Sequence, residues 1–78
     1  MSMNKERRGR LEALLERIEA VKDGVEEILA EEEEARDNIP ENLWSTEAYE
    51  RSDAACDSLT DAVSSLEDAI ASMEAATE

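Results

Sequence analysis

The chain reads as an all-α protein, a two-helix antiparallel hairpin of the coiled-coil kind. Apolar residues recur at alternating steps of three and four in both halves. The first set is Leu11, Leu14, Ile18, Val21, Val25, Ile28 and Ala35; the second is Tyr49, Cys56, Leu59, Val63, Leu66, Ile70 and Met73. Such spacing holds one narrow apolar seam on one side of a helix. A single breaker segment, Asn38–Ser45, separates the halves and contains the only proline. With 3% aromatic residues and no Phe, there is little from which to build a sheet.

One domain is expected over residues 1–78. Its first helix is predicted over about 4–37, the turn over 38–45 and the second helix over about 46–76. A proline forces the residue before it out of the helical region, so Ile39 closes the first helix. Asn38 suits the left-handed position that often ends a helix. Ser45 is the expected N-cap of the second helix, with Glu47 and Glu50 near the positive end of its dipole. On that assignment Trp44 precedes the cap and Tyr49 is the fourth helical residue, the two positions of a hydrophobic staple. The only two aromatic residues should therefore meet at the turn. Trp44 is a structural residue first and a candidate partner contact second.

The seam also predicts a register. If the turn is centred on Asn42, the layers are Leu11/Met73, Leu14/Ile70, Ile18/Leu66, Val21/Val63, Val25/Leu59, Ile28/Cys56, Glu32/Ser52 and Ala35/Tyr49. The two polar interruptions, Glu32 and Ser52, then face each other. Beside the seam, Ala48, Ala55, Ala62, Ala69 and Ala76 form a row of small residues opposite Arg10, Arg17, Gly24 and Glu31. Gly24 costs about 1 kcal/mol relative to Ala inside a helix; a close helix crossing near Ala62 would account for it, and a merely tolerated glycine is the equal alternative. On the other flank Leu15 and Leu29 face Asp53, Thr60 and Glu67, so the hairpin alone leaves them uncovered. They are the candidate self-association residues: a homodimer, forming a four-helix bundle, is expected to cover them, with a partner protein as the other candidate cover and a purely structural homo-oligomer as an alternative function. Burying each leucine would contribute roughly 1.5–3 kcal/mol.

Charge is the main functional clue. The formal net charge is −14, from 22 acidic and 8 basic residues. Most of it lies between residues 26 and 61, where Arg36 and Arg51 are the only basic side chains. The chain doubles back there, so the turn end of the hairpin should be strongly acidic and the other end nearly neutral. Glu31, Glu32, Glu33, Glu34, Glu47, Glu50, Asp53, Asp57 and Asp61, with Trp44, are the candidate partner-binding residues. They point to a protein partner with a basic surface, reached with electrostatic steering. The sharper form is nucleic-acid mimicry, in which carboxylates stand in for phosphates and inhibit a host defence system. A solvated, solubilising surface is the plain alternative. Direct nucleic-acid binding is disfavoured because phosphate contacts need Lys/Arg clusters. The one basic cluster, Lys5, Arg7, Arg8 and Arg10, lies near the acidic C-terminus, where Arg8/Glu74 should pair.

Other chemistry is poorly supplied. The chain has no histidine and no glycine-rich phosphate loop, so no catalytic residue is assigned and a non-enzyme is expected. Carboxylates fanned along helices lack the wrapping loop of a calcium site, so no metal or cofactor is expected. Cys56 is a single cysteine at a seam position, with no partner for an internal disulfide. No stretch approaches the roughly 20 apolar residues of a membrane span. The start, Met1–Arg8, is basic and lacks the apolar segment of a secretory signal. A cytoplasmic protein is the expectation.

The turn Asn38-Ile39-Pro40-Glu41-Asn42-Leu43, followed by Ser45, Glu47 and Tyr49, carries a resemblance. With Cys56-Asp57-Ser58-Leu59 and Leu66-Glu67-Asp68-Ala69-Ile70, it resembles small acidic helical-hairpin proteins of Gram-positive bacteria and their phages, which share an Asn-x-Pro-Glu-Asn-Leu turn. The resemblance covers roughly residues 30–75 and implies the hairpin architecture and a phage or mobile-element setting. It implies no catalytic or binding residues. Trp44 stands where those proteins often carry a polar residue.

Overall fold

The computed structural model describes residues 3–78; Met1 and Ser2, part of the basic start, lie outside the described residues. Helix α1 runs Lys5–Asp37 and helix α2 runs Glu47–Thr77, joined by a short 3-10 turn at Glu41–Leu43. The helices pack along each other into a rod of 59 × 17 × 13 Å, and no strand occurs among the described residues.

Each helix start is satisfied by a side-chain cap. The Asn4 side chain accepts from the Arg7 amide at 2.9 Å. At α2 the cap is Thr46, one residue beyond the expected Ser45. Its Oγ1 accepts from the Tyr49 amide at 3.4 Å and donates to the Leu43 carbonyl at 2.7 Å. The 3-10 turn keeps Trp44 in a right-handed conformation, and the extended backbone a cap requires is found at Thr46. Asn38 departs from expectation as well. It stays right-handed, at φ −81° and ψ −8°, and no non-glycine residue has positive φ among the described residues. The end of α1 tightens instead. The Asn38 and Ile39 amides bond to the Glu34 and Arg36 carbonyls at 3.0 and 3.1 Å, which satisfies terminal carbonyls without a left-handed residue. The aromatic pair forms as expected. Trp44 and Tyr49 stack at 5.6 Å between ring centroids, and the indole N–H donates to the Ile39 carbonyl at 2.9 Å.

The polar layer holds: Ser52 Oγ donates to Glu32 Oε2 across the hairpin. On α2 the predicted columns face inward, with Cys56 and Ile70 buried and Leu59, Val63, Leu66 and Met73 half-buried. On α1 one column differs. Leu11, Ile18, Val25 and Glu32 are half-buried as expected, but Leu14, Val21, Ile28 and Ala35 are exposed. Their places in the seam belong to Leu15, Lys22, Leu29 and Arg36, and Leu15 is only 8% exposed. The layers Leu14/Ile70, Val21/Val63, Ile28/Cys56 and Ala35/Tyr49 are corrected accordingly. At 100° per residue the seam centre on α1 has turned by about 50°.

The cause lies on the flank. The turned helix brings Arg36 to Asp53, with Nη1 to Oδ1 at 3.0 Å, while Lys22 Nζ pairs along its own helix with Glu26 Oε1 at 2.5 Å. Lys22 and Arg36 keep their stems against the seam while their charged heads find carboxylates. Two leucines and two such stems thus replace Leu14, Val21, Ile28 and Ala35. The expectation that the hairpin leaves Leu15 and Leu29 uncovered is therefore corrected: Leu15 is buried and Leu29 half-buried. At Gly24 no close crossing occurs, since a Cβ built there would meet nothing within 4 Å, which leaves the reading of a tolerated glycine.

Candidate functional site

The acidic end is assembled from the last three turns of α1, the connecting turn and the first four turns of α2. Its two basic side chains are both engaged inside it. Arg36 Nε donates to Asp37 Oδ1 and Nη1 to Asp53 Oδ1, each at 3.0 Å. The hydrogen bond to Asp37 is the main reason its guanidinium is held more firmly protonated than usual, with Asp53 adding to it. Arg51 pairs with Glu47 one turn away. The remaining carboxylates at this end have no cationic partner among the recorded ion pairs.

The ten predicted residues divide by surroundings. Glu31, Glu34, Glu50, Asp57 and Asp61 are exposed and face solvent, and Glu47 is exposed but paired with Arg51. Glu33 is half-buried. Glu32 and Asp53 are half-buried and already bonded, to Ser52 and Arg36, so they belong to the hairpin's own structure. Trp44 is 44% exposed, although its ring stacks on Tyr49 and its N–H is occupied. The exposed carboxylates are spread along both helices, from beside the turn to Asp61 near the middle of α2. Among the described residues, no three Cys, Asp or Glu side chains are grouped so as to hold a metal ion.

Cys56 lies deeper, 2% exposed. Burial pushes its thiol above the ordinary range, against the pull of Arg36, and Glu32, Glu33 and Asp53 push the same way as burial. A thiol kept protonated in this manner is a poor nucleophile. At the other end of the rod, Arg8 is half-buried and its Nη2 donates to the Met3 carbonyl at 2.8 Å. That contact replaces the expected Arg8/Glu74 pair. Among the described residues, no helix is long and apolar enough to cross a membrane.

Reading the sequence as a narrow seam missed one surface. Leu14, Val21 and Ile28 are 47%, 54% and 57% exposed and recur every seven residues along α1. The signal was present in the columns of α1. Leu11, Ile18 and Val25 form one, Leu14, Val21 and Ile28 a second, and Leu15 and Leu29 a partial third. Three columns are wider than the stripe one neighbouring helix covers. No protein-family model, curated protein or solved structure matches this chain.

Proposed function

We propose that the protein is a small non-enzymatic interaction module that docks the acidic end of its hairpin on a basic surface of a protein partner. One observation carries this reading. Residues 26–61 hold thirteen acidic side chains against Arg36 and Arg51, and both arginines are spent on internal pairs. So large an unbalanced charge opposes compact packing, and it gives steering and orientation toward a basic partner. The half-exposed, already stacked Trp44 offers a rigid aromatic contact in the middle of that charge. A phage or mobile-element accessory role is the setting suggested by the resemblance at the turn.

Capture from a host lysate at about 50 mM and 500 mM salt tests the reading, because screening weakens exposed charge pairs. A basic partner retained at the lower salt and released at the higher is expected. Capture should also fail when Glu31, Glu34, Glu47, Glu50 and Asp57 are replaced by their amides, with helicity unchanged. Glu32 and Asp53 are left alone because they hold the hairpin. Capture insensitive to both changes, or recovery of the bait alone, would overturn the proposal. Nucleic-acid mimicry is the sharper version, and it adds an expectation: DNA or RNA should compete with the module for the captured partner.

A further inference from the structure

We infer that two copies of this chain pair through the exposed face of α1, antiparallel, with the two-fold axis beside Val21. Four features of α1 carry the inference, and Glu31 and Glu34 of the acidic end take part in one of them.

The first is the apolar row itself. Leu14, Val21 and Ile28 are about half exposed, and the second helix of the hairpin is already committed to the neighbouring columns. An uncovered column on a helix calls for another neighbour.

The second is position. Val21 is the midpoint of Lys5–Asp37, so an axis there overlaps the full lengths of two α1 helices. Leu14 of one copy then lies level with Ile28 of the other. At that level the surface is concave: Leu14, Arg17, Ile18, Val21 and Met73 line an open groove able to receive a side chain.

Charge supplies the third, and it chooses the occupant. The exposed face beside the row is basic toward its start, with Arg7, Arg10 and Arg17, and acidic toward its end, with Glu27, Glu31 and Glu34. Antiparallel pairing sets Arg10 level with Glu31 and Arg7 level with Glu34, twice over by symmetry. A parallel pair would set like charges together. The row is thus complementary to its own reverse. Arg17 comes level with Gly24, where the space beyond the backbone is open and a long stem can pass.

Area is the fourth. A compact monomer of 8.7 kDa exposes about 4,700 Å² on the usual scaling with mass. This rod exposes 5778 Å², or about 1,000 Å² more. A standard interface removes about 800 Å² from each partner.

Sedimentation equilibrium of the full chain at several hundred micromolar is expected to give twice the 8.7 kDa monomer mass. Ile28→Lys, at an exposed position the hairpin does not use, should return the monomer mass with the helix content unchanged. Orientation is read by disulfide formation in a Cys56→Ser background. Val21→Cys should crosslink to itself, and Leu14→Cys should crosslink with Ile28→Cys but not with itself. A monomer mass for the unmodified chain would overturn the inference, as would efficient self-crosslinking of Leu14→Cys or a dimer that survives Ile28→Lys.

Discussion

The two helices spend their apolar residues differently. Helix α2 carries two seam columns and a row of alanines, and it turns both columns inward: Cys56 and Ile70 are buried and the rest half-buried. Helix α1 carries more, and only part of it fits. Leu15 enters the seam at 8% exposure while Val21 stays at 54%. A helix with a single neighbour covers about two columns. Which two is decided by what lies on the flanks, here Arg36 reaching Asp53 of the other helix while the Lys22 stem lies half-buried beside the seam.

The sharpest way to break this comparison is to shorten neighbouring leucines of α1. Leu15→Ala should cost about 2–3 kcal/mol in urea denaturation of dilute protein, since it empties a covered site. Leu14→Ala should cost under about 1 kcal/mol there, because its side chain remains largely wet in the monomer. A larger loss for Leu14→Ala than for Leu15→Ala would mean that the seam is centred where the sequence alone suggests. The helix starts give a smaller contrast. Thr46→Ala should cost about 1 kcal/mol, since its hydroxyl both caps α2 and ties back to the Leu43 carbonyl. Ser45→Ala should be nearly silent, as should Asn4→Ala, whose helix end is free to fray.

The smallest effect concerns the covered thiol of α2. Burial holds Cys56 above the ordinary thiol range, so on raising the pH the unfolded chain loses that proton first. The unfolded state then binds fewer protons than the folded one, and stability falls as pH rises past the ordinary thiol pKa of about 8.5. Cys56→Ala should remove that alkaline slope in thermal melts. Alkylation should be slow at Cys56 in the folded chain. It should be fast at Ile28→Cys in a Cys56→Ser background, read in dilute protein.

Much of the fold was legible in the sequence. Pro40 ended one helix and the aromatic pair marked the start of the next. The facing of Glu32 and Ser52 followed from matching the only polar breaks in two apolar repeats. What escaped was rotation about the axis of α1. Leu14 and Leu15, or Ile28 and Leu29, are adjacent in sequence and equal in hydrophobicity, so periodicity cannot rank them. The choice depends on Arg36 finding Asp53, a contact made by residues that a hydrophobic pattern ignores. The cap slipped from Ser45 to Thr46 for a similar reason, since both residues are good caps and only the backbone of the 3-10 turn separates them. At the acidic end, composition located the charge but could not say which carboxylates the hairpin keeps for itself. Glu32 and Asp53 look like their neighbours until their partners are seen.

The shape has one more consequence. The rod is 59 Å long, whereas charge is felt over only about 8 Å at physiological ionic strength. Its two poles are therefore electrically deaf to one another. Within one hairpin, a substitution near the turn should leave the charges at the opposite end of the rod unaltered, and the converse holds as well. Distance alone makes the molecule modular, without a hinge or a second domain.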